Sequence, residues 1–123
     1  MSRIFKMMSF SRWMRKNHVE NSALATAIRE MESGLIDADL GGLLFKKRIP
    51  LAGMGKRGGA RTIVASKREG KWFFLYGFNK NEKANVSQNE KEALLELASK
   101  VLGYTDDEIA TAISEQELEE VEQ

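Results

Sequence analysis

The chain has 123 residues, 42% hydrophobic and 30% charged, with a formal net charge of +1 and no cysteine. That length suits one domain around one core, 1–123, and the balance is that of an ordinary soluble protein; the missing cysteines exclude a disulfide framework and thiolate chemistry, so packing alone must hold the fold and the cytoplasm is the expected compartment. The small net charge conceals an asymmetry: nine basic residues and one acid between Lys46 and Lys71, then eight acids and no base from Asp106 to Glu122.

In chain order, the opening MSRIFKMMSFSRWMRKNH mixes basic and apolar residues. Its apolar runs are too short for a signal-peptide core, and no run in the chain reaches the roughly 18 residues of a membrane span. Arg3 to Lys6 reads as a short strand. Phe10, Trp13 and Met14 at i, i+3 and i+4 predict a helix over Phe10–Lys16. A second helix is expected over Asn21–Ser33, with Asn21 as N-cap, Leu24, Ala27, Ile28 and Met31 inward, and Gly34 just past the end. The period then changes. Leu43–Ile49 reads as a strand ending at Pro50, Gly53–Gly59 as a glycine-rich loop, and Ala60–Ser66 as a β-branched strand. Lys67–Lys71 is a polar hairpin connection to the aromatic strand Trp72–Asn79, so these two strands should pair antiparallel. Alternation sends Trp72, Phe74 and Tyr76 to one face and Phe73 and Leu75 to the other.

Ser87 with Glu90, and Thr105 with Glu108, have the spacing of capping boxes. The first opens a helix to about Leu102, carrying Leu94, Leu95, Ala98, Val101 and Leu102 inward. The second opens a short helix with Ile109, Ala112 and Ile113. Residues 114–123 read as an acidic, flexible tail that lies near the basic middle. The expected class is α+β: N-terminal helices packed on a small curved antiparallel sheet of three or four strands, with C-terminal helices.

No metal or cofactor is expected. The sequence has no HExxH, no Cys/His ligand set and no serine elbow, and the single histidine, His18, reads as a surface residue. The glycine loop lacks the GxxxxGK[ST] pattern of a phosphate-binding loop. What remains is a set of cations around a sheet. Lys46 and Arg48 share one strand face and Lys47 takes the other; Lys56 and Arg57 lie in the loop, Arg61 is the second residue of the next strand, and Lys80 and Lys83 follow the aromatic strand. Such a cluster suits a phosphodiester and the charge that develops on it during attack. A hairpin with charged, aggregation-resistant edges has the same composition. Trp72, Phe73, Phe74 and Phe78 are core candidates, one of which could stack on a base.

The stretch from Asp37 to Ser87, above all GKRGGARTIV and FFLYGFNKNE, with AIREMESGLIDADLGG upstream, resembles the RelE-like toxins of bacterial toxin–antitoxin systems, and within them the HigB-type branch. The resemblance implies an endoribonuclease (an mRNA interferase) that cleaves mRNA on the ribosome without a metal, by attack of the ribose 2′-oxygen on the adjacent phosphate. It implies a cognate antitoxin, a small helix-turn-helix protein, as partner, and no membrane or small-molecule cofactor. By this resemblance Arg61 is the phosphate clamp, Lys56 and Lys80 act on the reacting phosphate and Glu82 is a candidate base. Lys46, Lys47, Arg48, Arg57, Asn81 and Lys83 bind RNA. Asn81 stands where some relatives carry an arginine. Ser87 lies near the place of the family's tyrosine acid, and neither Tyr76 nor Tyr104 is there. A gyrase-poisoning toxin of the ParE kind and a non-catalytic RNA- or DNA-binding module are the competing readings.

Overall fold

Alternating apolar residues over five short segments, and a sixth near the C-terminus, build a sheet that is buried on both faces. The computed structural model describes residues 2–51 and 59–123. In chain order it contains β1 (Arg3–Met7), α1 (Met8–Asn17), α2 (Asn21–Glu32), β2 (Ala38–Gly41), β3 (Leu44–Ile49), β4 (Ala60–Ala65), β5 (Lys71–Asn79), α3 (Gln88–Leu102), α4 (Asp106–Ser114) and β6 (Leu118–Glu120). The strands form one sheet in the order β2-β3-β4-β5-β1-β6. The α+β class holds. The sheet is larger than expected and mixed, because β1 pairs parallel with β5 while the other pairs are antiparallel.

Each face has its own core. On one side Ile4, Phe45, Ile49, Val64, Trp72 and Phe74 meet Phe10, Met14, Leu24, Ile28 and Met31 from α1 and α2. On the other, Phe5, Leu44, Ile63, Phe73, Leu75 and Phe78 meet Leu94, Ala98, Val101, Ile109 and Ala112 from α3 and α4. This two-sided burial is why the aromatic strand reads as a nearly continuous apolar run. Trp72, Phe73, Phe74 and Phe78 are each at most 2% exposed, so all four are core and none is open to a nucleobase.

Both capping boxes form as the sequence predicts. Gly34 sits at φ 99°, the left-handed region a residue past a helix end favours. Three expectations are corrected. Glu20, not Asn21, occupies the N-cap of α2, with no side-chain cap; the Asn21 Oδ1 instead accepts from the buried Lys6 ammonium at 2.9 Å. The register shifts between Ile63 and Val64 where they oppose β5. Leu75 and Tyr76 therefore both face α3 and α4, and Tyr76 does not follow Phe74 to the opposite side. The C-terminal segment is not a loose tail, since Leu118–Glu120 pairs antiparallel with β1 and Leu118 and Val121 are buried. Among the described residues no helix is long and apolar enough to cross a membrane.

Candidate nucleic-acid interface

Strand register assembles the site. Arg48 on β3 stands directly opposite Arg61 on β4, and Arg61 in turn stands opposite Phe78 on β5. Two residues along the same face, Lys46, Ile63 and Tyr76 form the next row. Opposed residues of antiparallel strands share a face, with Cβ atoms roughly 5 Å apart. Lys46, Arg48 and Arg61 thus rise together at the end of the sheet where β4 begins and β5 ends. Arg61 is half-buried, and its Nη1 is enclosed with no hydrogen-bond partner among the described residues. A buried guanidinium donor without an acceptor is costly in isolation and is a fitting place for an anion's oxygen.

The neighbouring cations are individually anchored. Arg48 pairs through Nε with Asp37 at 2.9 Å, and its backbone N–H donates to the same carboxylate. Burial alone would push the Asp37 carboxyl up, but the backbone and side-chain donors of Arg48 prevail and hold it below its ordinary value. Lys46 donates to Asn85 at 3.0 Å. Lys83, from the turn after β5, pairs with Glu90 on α3 and lies over the rings of Tyr76 and Phe78, 5.0 and 5.6 Å from their centroids. Glu90 is the hub of that corner. Its Oε1 accepts the Ser87 N–H of the capping box, and its Oε2 accepts from both the Tyr76 hydroxyl and the Lys83 ammonium. The hydrogen bond from Lys83, then that from Ser87, hold the Glu90 carboxyl down to about 2. The same bond raises Lys83.

Lys80, Asn81 and Glu82 follow β5 in an exposed turn. Glu82 accepts from the Asn79 amide at 3.1 Å, and Asn79 also donates to Asn17 at the end of α1. The carboxylate that Lys83 holds is that of Glu90.

Lys47 is corrected. It is 3% exposed, on the opposite side of the sheet from Lys46 and Arg48. Its ammonium pairs with Glu30 at 2.9 Å and donates to the Leu35 carbonyl at 3.0 Å. The alternation that exposes its neighbours places it under α2, where it serves the fold and is closed to RNA. Lys56 and Arg57 lie outside the described residues. The expected closeness of the acidic C-terminus to the basic patch also fails: β6 is four strand steps from β3, roughly 19 Å at the usual spacing, and Glu120 pairs with Arg3.

Sequence reasoning missed the placement of Tyr76 and the anchoring roles of Asp37, Asn85 and Glu90. Only Glu90 left a signal, its capping-box position, and that signal spoke of a helix start alone. Among the described residues no group of three or more His, Asp or Glu side chains is placed to hold a metal ion.

A small α+β protein with an arginine-centred cationic patch at one end of its sheet is the class these features define. The sequence profile of the RelE toxin of the RelE/RelB toxin–antitoxin system matches residues 2–121, so the chain belongs to the RelE toxin family. No curated protein is similar enough in sequence to add a relative to that match.

Proposed function

We propose that this chain is a ribosome-dependent endoribonuclease, of the HigB-type branch, that blocks translation by cutting mRNA. The observation that carries the reading is Arg61, whose enclosed Nη1 has no acceptor among the described residues, on a face shared with Lys46 and Arg48. Membership of the RelE toxin family supports the nuclease class and an antitoxin partner; a helix-turn-helix antitoxin and a cytoplasmic location belong to the same proposal.

The reaction is transesterification. The ribose 2′-oxygen attacks the adjacent phosphorus, the bond to the 5′-oxygen breaks, and a cyclic phosphate and a free 5′-hydroxyl result. Arg61 clamps the phosphate and meets the charge that grows on its oxygens. Lys56 and Lys80 add positive potential, and Glu82 takes the 2′ proton. Lys46, Arg48, Arg57, Asn81 and Lys83 position the strand. The leaving oxygen needs a proton. The Arg61 face offers the Tyr76 hydroxyl and the Lys83 ammonium for this, both tethered by Glu90, and ribosomal groups complete the site.

The test is a cell-free translation reaction with added protein, followed by primer-extension mapping of the message. Cuts that require ribosomes and disappear with Arg61→Ala are the expected result. An intact message with normal translation overturns the reading. A DNA supercoiling assay then separates a gyrase poison from a binding-only module.

A further inference from the structure

The outer face of α1 carries a second cluster of cations that the nuclease reading does not use. Arg12, Arg15 and Lys16 are all exposed. At 100° per residue they fall within an arc of about 100°, opposite the side that buries Phe10 and Met14. Among the described residues none of the three forms an ion pair or a side-chain hydrogen bond. By contrast Arg3, Lys47, Arg48, Lys71 and Lys83 each hold a carboxylate.

The helix has no acid at any position. Arg15 and Lys16 gain from the dipole at its C-terminal end. Arg12 stands outside that last turn, and the three like charges at i, i+3 and i+4 repel one another. Helix stability therefore does not account for the whole stripe.

The position of α1 gives it a use. Trp13 seats the helix on β5, where a Cβ at Gly77 would come within 2.6 Å of the indole. Asn17 then accepts from Asn79, the last residue of β5. This ties the basic end of α1 to the end of the sheet where Arg61 lies, one register position from Asn79 and on the other face. The turn carrying Lys80 and Asn81 starts from the same point.

We propose that the Arg12/Arg15/Lys16 stripe is a second RNA-backbone site. It holds the phosphates of a single-stranded segment that continues from the one at Arg61 around this end of the sheet. The proposal rests on the nuclease reading for its ligand class and extends it to a surface on the opposite side of the sheet. Charge complementarity decides the occupant: three unpaired cations with helical spacing, beside an edge already rich in phosphate-binding groups.

The test uses the full chain and the triple variant R12Q/R15Q/K16Q. Binding of a labelled, unstructured 15-nucleotide RNA is followed by anisotropy across a salt series, with a 4-nucleotide RNA as the short probe. Three lost phosphate contacts should reduce the slope of log K against log salt by about 2 and weaken the 15-mer by at least ~10-fold at low salt. The 4-mer should bind both proteins equally. An unchanged slope for the 15-mer overturns the proposal. If the variant instead loses binding to polyglutamate while its RNA slope is unchanged, the stripe serves an acidic protein, which also overturns it. Failure here is separable from failure of the nuclease reading. Message cleavage lost in Arg61→Ala, with an unchanged slope in the triple variant, sinks only the stripe. A reduced slope with no cleavage by the wild-type chain sinks only the nuclease.

Discussion

Arg48 and Arg61 face each other across the β3–β4 pair, and Asp37 neutralises only Arg48. Two like charges directly opposed on a sheet destabilise it, and the buried Nη1 of Arg61 adds a donor with no acceptor among the described residues. Arg61→Met keeps the aliphatic stem and removes both penalties. Its thermal midpoint should hold or rise while message cleavage falls by at least ~100-fold, the scale of losing one transition-state donor. A fall in midpoint matching the loss of activity would make Arg61 a structural residue.

Lys47 is expected to behave in the opposite way. Removing its ammonium leaves Glu30 and the Leu35 carbonyl without that donor. Glu30 keeps part of its hydration, with a side chain 25% exposed, so the cost falls below that of a fully buried pair. Lys47→Met should lose about 1–3 kcal/mol in urea unfolding. Cleavage per folded molecule should be unchanged. A cycle with Glu30→Gln measures the coupling between the two.

The Lys83–Glu90 pair sets an acid limit on stability. Glu90 titrates at about 2 in the folded chain against an ordinary 4.5. A depressed folded value means that the carboxylate stabilises the fold above the unfolded value, and that this contribution is lost as pH falls from about 4.5 to about 2. Glu90→Gln should be less stable than the wild type at pH 7, with the difference closing across that window. Denaturant midpoints from pH 7 to pH 2 check this. A gap that stays constant down to pH 2 would show that Glu90 acts through its shape alone.

The C-terminal strand is expected to be structural. Leu118 and Val121 are 1% and 2% exposed, one in each core. Leu118→Ala should cost about 2–5 kcal/mol, and deleting residues 114–123 should leave a chain that unfolds far more easily. Chemical denaturation of both variants tests this. A deletion variant with wild-type stability would return the segment to the role of a dispensable acidic tail.

The sequence by itself determined the local elements whose causes are local. Both capping boxes, the hairpin from β4 to β5, the helical stripes of Leu24–Met31 and Leu94–Val101, and the opposite facing of Lys46 and Lys47 all follow from spacing. It also determined where positive charge concentrates and that Arg61 lies at a strand start. What it left open depended on which strands become neighbours. The β1–β5 parallel pair joins segments more than sixty residues apart, and no local pattern encodes it. β6 is three residues long and acidic on its outer positions, so its composition reads as tail until Leu118 and Val121 find the two cores. The bulge opposite Ile63 turned Tyr76 to the Arg61 face against simple alternation, where it joins Lys83 at Glu90, and the pairing of β2 with β3 brought Asp37 to Arg48. Only the tertiary structure decided these, because pairing across a sheet is settled by the burial of both faces together.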